Sequence, residues 1–361
     1  MTPQVTRIWL ASITVIFICI GVVMIYSASA MYAFEHLDDS AYYLKRHVVY
    51  LAFGLIMAIG AMLMPLEKLR RLAKPLLLGA CLLLVLVLVP GIGKTVGGAR
   101  RWFRFAGISF QPSELAKLAM IIYVSDFMVR KRAYLQSLVH GFLPLLLALM
   151  AVCCLIIVQP DLGTVVSLFL VWSILVFVGG VRWTHMVTMG LAALPAFYLL
   201  IFNVPYRKAR ILSFLDPWSD PQGTGFQIIQ SLVALGSGGI TGVGLGQGKQ
   251  KLLYLPAAYT DFVVSILGEE LGFLGTACLV LLCVAFVWLG TRICLKARNP
   301  FAQYLGLGLF TGLMSEALVN LGVVTSLLPT KGLPFPFISY GGSSLVFNMI
   351  FVGLLLNVGR D

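Results

Sequence analysis

A single carboxylate, Asp261, stands where a polar, glycine-rich stretch (residues 204–259) meets a long apolar run. An acid at the rim of an apolar cavity gains proton affinity from desolvation and loses it to nearby Lys or Arg, the setting a general base requires. Cations for such a setting are present at Arg207, Lys208, Arg210, Lys249, Lys251, Lys331 and the Arg100-Arg101 pair. A plainer role competes: after Pro256 and Thr260, Asp261 also suits a helix N-cap, which needs no catalysis. Residue chemistry alone leaves both open.

Other charges interrupt apolar surroundings. Glu114 and Lys117, three residues apart, share one helical face and can pair. Either one alone in hydrocarbon would cost roughly 2.5 to 3.5 kcal/mol, so both should face protein, as a structural ion pair or as the wall of a polar cavity. Asp161, after Gln159-Pro160, suits an N-cap for the next helix or a partner for Lys117. Glu269 and Glu270 are adjacent and cannot face the same way; Glu270 is assigned to the central cavity. Lys331 lies in Leu328-Pro329-Thr330-Lys331-Gly332-Leu333-Pro334-Phe335-Pro336-Phe337, whose prolines exclude a regular helix. Such backbone at membrane depth survives only against protein or a water-filled cavity, so it should border the site. The hydroxyls and N–H groups of Ser339-Tyr340-Gly341-Gly342-Ser343-Ser344, Ser343 among them, form a candidate cradle for an anionic headgroup.

The elements that must position these groups are membrane helices. Hydrophobic residues make up 60% of the 361 and charged residues only 11%, where soluble domains carry roughly a quarter charged. Ten apolar runs of spanning length are counted, at about 8–31, 46–64, 73–92, 112–129, 141–158, 162–180, 185–202, 262–290, 302–327 and 342–358. The expected fold is an all-α polytopic membrane protein of ten transmembrane helices, a single domain over residues 1–361. A long extracytoplasmic loop, 204–259, lies between helices 7 and 8 and carries part of the site. The first run is too long for a cleaved signal peptide and should remain as a span. Short basic clusters near span ends put both termini in the cytoplasm once the cations of the long loop are discounted. Four cations, Lys94, Arg100, Arg101 and Arg104, then crowd one short external loop, which a bound anion would explain.

Several classes are disfavoured. The formal charge of +12 is scattered among loops, so anionic lipid is a better partner than nucleic acid. The seven cysteines lack metal-ligand or CxxC spacing and read as packing residues. No inverted repeat of the carrier type stands out. Residues 227–235 suit an amphipathic helix on the bilayer, and the seven glycines between Gly236 and Gly248 suit a flexible loop or lid without a P-loop ending.

Six motifs run along nearly the whole chain: Gly21-Val22-Val23-Met24-Ile25-Tyr26-Ser27-Ala28-Ser29, Gly98-Ala99-Arg100-Arg101-Trp102, Gln111-Pro112-Ser113-Glu114-Leu115-Ala116-Lys117, Gln159-Pro160-Asp161-Leu162-Gly163-Thr164, Gly268-Glu269-Glu270-Leu271-Gly272 and Pro329-Thr330-Lys331-Gly332. In these the chain resembles the SEDS family (shape, elongation, division and sporulation), whose members include FtsW, RodA and SpoVE. The first-span sequence and Arg100-Arg101-Trp102 look more like the division branch than the elongation branch. The resemblance implies a peptidoglycan glycosyltransferase that polymerises lipid II at the outer face of the cytoplasmic membrane. It also implies work beside a class B penicillin-binding transpeptidase and other divisome or elongasome membrane proteins.

Carried over residue by residue, the family's catalytic Asp falls on Asp261, its loop Trp on Trp102, and its central-cavity Glu and Lys on Glu114 and Lys117. Candidate substrate-binding residues are Arg100, Arg101, Trp102, Lys249, Lys251, Thr260, Lys331 and Ser343; Glu114, Lys117, Asp161 and Glu270 are assigned to the central cavity. No metal ligands are assigned, although a divalent cation, Mg2+ or Mn2+, could help hold a pyrophosphate. The family usually reads Leu-Pro-Glu-x-His-Thr-Asp, whereas this chain has Leu255-Pro256-Ala257-Ala258-Tyr259-Thr260-Asp261, without the acid and the imidazole. Two rival readings use the same residues. A lipid II flippase needs the cavity and cations but no base, and a non-catalytic scaffold for the transpeptidase tolerates loss of Asp261.

Overall fold

A computed structural model describes residues 2–96, 98–105 and 108–360. It begins with α1 (Pro3–Leu37), α2 (Tyr42–Leu63), α3 (Leu66–Arg71) and α4 (Ala73–Leu86). Three short strands follow, β1 (Lys94–Val96), β2 (Ala99–Phe105) and β3 (Ile108–Phe110). Then come α5 (Pro112–Arg130), α6 (Leu143–Val158), α7 (Leu162–Val178), α8 (Trp183–Phe202), α9 (Pro205–Leu215) and α10 (Phe226–Gly238). The chain closes with α11 (Val263–Lys296), α12 (Pro300–Val324) and α13 (Gly342–Val358). Each of the ten apolar runs falls on a helix, with some ends moved: α1 reaches Leu37 and α11 runs to Lys296. Among the described residues five helical stretches, Pro3–Leu37, Tyr42–Leu63, Leu138–Val158, Val263–Lys296 and Pro300–Val324, are long and apolar enough to cross a membrane on their own. The molecule is a multi-pass membrane protein.

Local chemistry explains the helix ends. Pro112 and Pro300 open α5 and α12, where a missing N–H costs nothing. Asn299 caps α12 by accepting from Phe301 N at 2.9 Å. At the other end of α1, Asp38 turns left-handed and returns its N–H to Phe34 O. Helices α5, α12 and α13 form the centre and are buried along most of their length. Helices α1, α2, α6, α8 and α11 turn large apolar side chains outward, such as Ile56, Leu147, Leu191 and Leu281, as a lipid-facing surface does. Small residues let α2 and α13 approach closely: Gly54 packs on Met349, and Gly353 lies against the Ala58 backbone.

Two features differ from the sequence expectation. The short loop expected outside, between the third and fourth apolar runs, is a three-stranded antiparallel sheet, β1-β2-β3, added to the all-α plan. Lys94 pairs with Trp102 and Thr95 with Arg100, which leaves Arg101 as the extra residue of a β-bulge, a device that re-aims a side chain. The sheet is fixed to the bundle where Ser109 N donates to Tyr50 Oη at 2.9 Å and Ser343 Oγ donates to Ser109 O at 2.7 Å.

The second difference is the glycine-rich segment, which is docked where a loose lid was expected. Helix α11 is broken at Gly272, whose φ of 66° is accessible to glycine at little cost. The freed backbone groups are taken up by the segment: Phe273 N and Leu274 N donate to Gly239 O and Ile240 O. In return Val243 N and Gly244 N donate to Glu269 O and Glu270 O. A side chain at Gly272 would overlap the Gly242 backbone. Residues 227–235 are indeed helical, within α10, but this helix packs on α11 and α12. Ser231 Oγ contacts Ser265 Oγ at 2.8 Å and donates to Val324 O at 2.8 Å.

Candidate active site

The approach to Asp261 is a tight turn built on one carbonyl. Ala257 is left-handed, φ 57°, and its oxygen accepts from Thr260 N and Asp261 N at 3.1 Å, Phe262 N at 3.3 Å and Thr260 Oγ1 at 3.2 Å. The Thr260 hydroxyl thus donates within the turn and is held beside Asp261. Tyr259 anchors the turn from the other side: its ring packs 4.5 Å from that of Tyr43, its hydroxyl donates to Tyr43 Oη at 3.2 Å, and its carbonyl accepts from Tyr340 N at 2.9 Å.

Helix α11 starts after Phe262 and has no side-chain cap, so the N-cap reading of Asp261 fails. Its backbone oxygen accepts from Asn320 Nδ2 at 2.8 Å. Its half-buried carboxylate opens on a cavity of about 410 Å³ walled also by Arg101, Asp161, Arg207, Arg210 and Lys331. Four cations thus face two carboxylates. Burial pushes the Asp261 carboxyl up to about 6, against the opposing pull of Arg210 and Arg101. Burial likewise lowers the proton affinity of Lys331. The strip beside Asp261 comes close because residue 332 is glycine: a Cβ there would lie 3.3 Å from Asp261 Oδ2.

The cavity walls have their own supports. Arg101 reaches Asp161 at 3.6 Å from its bulge. Asp161 caps α7, accepting from Thr164 N at 3.2 Å and Thr164 Oγ1 at 3.0 Å, and also accepts from Gln111 Nε2 at 3.0 Å. The cap reading of Asp161 therefore holds, and its cationic neighbour is Arg101, where Lys117 was the alternative. Arg210 Nη1 donates to Thr330 O at 3.0 Å, tying α9 to the Lys331 strip.

Other candidate residues stand elsewhere. Lys117 lies between Glu114, at 2.8 Å, and Glu316, a buried triad in the bundle centre outside the Asp261 cavity lining. Lys251 and Glu270 pair at 2.7 Å, with Ser27 Oγ donating to Glu270 at 2.7 Å. They line a second cavity of about 540 Å³ against α1, so Glu270 leaves the central group and Lys251 leaves the Asp261 group. Lys249 is exposed and its N–H donates to Glu269 Oε1 at 2.8 Å. Arg100 Nη1 donates to Leu88 O at 3.1 Å, and Trp102 pairs across the sheet with Lys94, neither in the cavity wall. Ser343 Oγ accepts from Gln111 N at 3.0 Å as well as donating to Ser109, which makes it a brace. The three residues whose part sequence reasoning missed or undervalued are Arg210, Glu316 and Asn320. Glu316 had a legible signal, as the sole charge in the α12 sequence.

Among the described residues no group of three or more His, Cys, Asp or Glu could hold a metal ion. Mg2+ and Mn2+ are commonly held by one or two carboxylates together with substrate phosphates, a role Asp161 and Asp261 would fill beside a bound pyrophosphate, and Arg101, Arg207, Arg210 and Lys331 supply fixed positive charge in the same cavity.

The "Cell cycle protein" family model covering FtsW, RodA and SpoVE matches residues 8–361. The chain belongs to the FtsW/RodA/SpoVE family. Within it, the probable peptidoglycan glycosyltransferase FtsW of Geobacter sulfurreducens is 46% identical over 340 residues, 94% of this chain and 91% of that protein. A chain from a peptidoglycan synthase complex, solved for its coordination of polymerization and crosslinking, superposes with a TM-score of 0.81 at 32% identity, covering 98% of this chain and 97% of that one. RodA of Thermus thermophilus superposes with a TM-score of 0.72 at 28% identity, covering 98% and 96%. This FtsW/RodA/SpoVE member thus shares its helical membrane architecture with both solved proteins over nearly its full length.

Proposed function

We propose that this chain is a peptidoglycan glycosyltransferase that polymerises lipid II into glycan strands at the outer face of the cytoplasmic membrane, in cell division. The observation that carries the reading is the carboxylate of Asp261, turned into a cavity with four cations and engaged in no hydrogen bond among the described residues. In the reaction Asp261 accepts the proton of the acceptor sugar's 4-hydroxyl as that oxygen bonds to the donor's anomeric carbon. The bond from that carbon to the pyrophosphate oxygen breaks, and the lipid pyrophosphate departs with its electron pair. A pyrophosphate is already a good leaving group, so it needs charge stabilisation more than a strong acid. Arg101, Arg207, Arg210 and Lys331 supply it. A single carboxylate serves, where glycosidases generally pair two.

The same reading puts residues 204–259 outside as a loop carrying part of the site, both termini in the cytoplasm, and ten helices across the bilayer. Its partners are lipid II, a class B penicillin-binding transpeptidase and other divisome membrane proteins. Asp261→Asn, reconstituted in vesicles with lipid II, should make no glycan strand while keeping a wild-type elution profile. Strand synthesis by that variant would refute the base assignment.

A further inference from the structure

Asn320 lies one helical turn beyond Glu316 on α12 and is 2% exposed. Its amide nitrogen donates to two backbone carbonyls, Asp261 O at 2.8 Å and Leu333 O at 2.8 Å. A primary amide has two donor hydrogens, so this bridge uses both. The segments it joins wall the same cavity, and neither is regular: Asp261 precedes α11, and residues 325–341 form no helix or strand. Their spacing therefore depends on a few cross-links. Besides Asn320, Tyr340 N donates to Tyr259 O between them, while Arg210 ties Thr330 O of the strip to α9.

Resting on the reading of Asp261 as the base, we propose that Asn320 is a positioning residue: its one amide holds the Asp261 turn against the Lys331–Gly332 strip and so sets where the carboxylate stands in the cavity. Asn320 itself touches backbone and no reacting atom. Without the bridge the turn is free to swing from the strip toward water. The groups that face the carboxylate are Arg101 from β2, Asp161 ahead of α7, Arg207 and Arg210 from α9, and Lys331. Burial outweighs these cations at Asp261, so release lowers its proton affinity toward the ordinary carboxylate range.

The test compares wild type, Asn320→Leu, Asn320→Val and Asp261→Asn, each as the full chain in vesicles with lipid II. Both Asn320 variants remove the donors and add no charge beside Asp261. Expected are a fall in kcat of about ten- to a hundredfold, an unchanged KM, and an acidic limb of the pH–rate profile displaced to lower pH, with the thermal midpoint held near wild type. Unchanged kcat and pH limb in the Asn320 variants, beside an inactive Asp261→Asn, would overturn the positioning role alone. Activity in Asp261→Asn would instead overturn the base reading on which it rests. Failure to recover either Asn320 variant folded would assign the residue to bundle stability and overturn the proposal as well.

Discussion

At the scale of the residue, Asp261 is unusual for an acid because its carboxylate makes no hydrogen bond among the described residues and burial pushes it up to about 6. Its raised folded-state proton affinity has two consequences of definite sign. A base must be ionised, so turnover should be lost as pH falls through about 6. Folding stability should move the other way, decreasing as pH rises from the ordinary carboxylate range through about 6, because the folded state there binds more protons than the unfolded one. Arg210→Gln removes a cation that lowers this proton affinity, so the acidic limb should move to higher pH. Losing one charge-stabilising donor should also slow turnover by about tenfold to a hundredfold, as initial rates across a pH series would record. The carboxylate was legible in sequence because a lone acid ending a polar stretch is conspicuous. Arg210 was one cation among many, and only the carbonyl of Thr330 shows why it was selected.

At the scale of the element, the break in α11 organises the glycine-rich segment. Gly272→Val would force a β-branched residue to a positive φ and into the Gly242 backbone. It should cost about 1–3 kcal/mol and free residues 239–244 from the helix, read as a lower thermal midpoint and new protease sensitivity there. Composition foretold helices here, since apolar runs of spanning length have few other solutions in lipid. The break was hidden, because an isolated glycine inside an apolar helix pattern reads as a tolerated defect until the segment that docks on it is known. The sheet that carries Arg101 was equally obscure: its strands are short, and Lys94, Arg100, Arg101 and Arg104 looked like an electrostatic patch before the bulge at Arg101 separated their directions. Lys251 and Glu270 were placed elsewhere by the sequence reading for a related reason, as spacing does not reveal that the two pair directly and that Ser27 of α1 joins them.

At the scale of the whole molecule, ten apolar runs emerge as helices around a centre of α5, α12 and α13. The proposed sidedness makes a direct prediction. In a cysteine-free background, Trp218→Cys should react with an impermeant maleimide applied to intact cells, whereas Lys68→Cys should react only after the membrane is opened. The reverse pattern would invert the proposed topology and put Asp261 on the wrong side for an extracellular substrate. The placement of Glu316 and Asn320 one turn apart on α12 has a mechanical corollary. One engages Lys117 and the other engages the turn at Asp261, and a helix rotating about its long axis carries all its side chains together. Torsion of α12 would unseat both grips in lock-step, so the ionic heart of the bundle and the mouth of the cavity are geared to each other without ever touching.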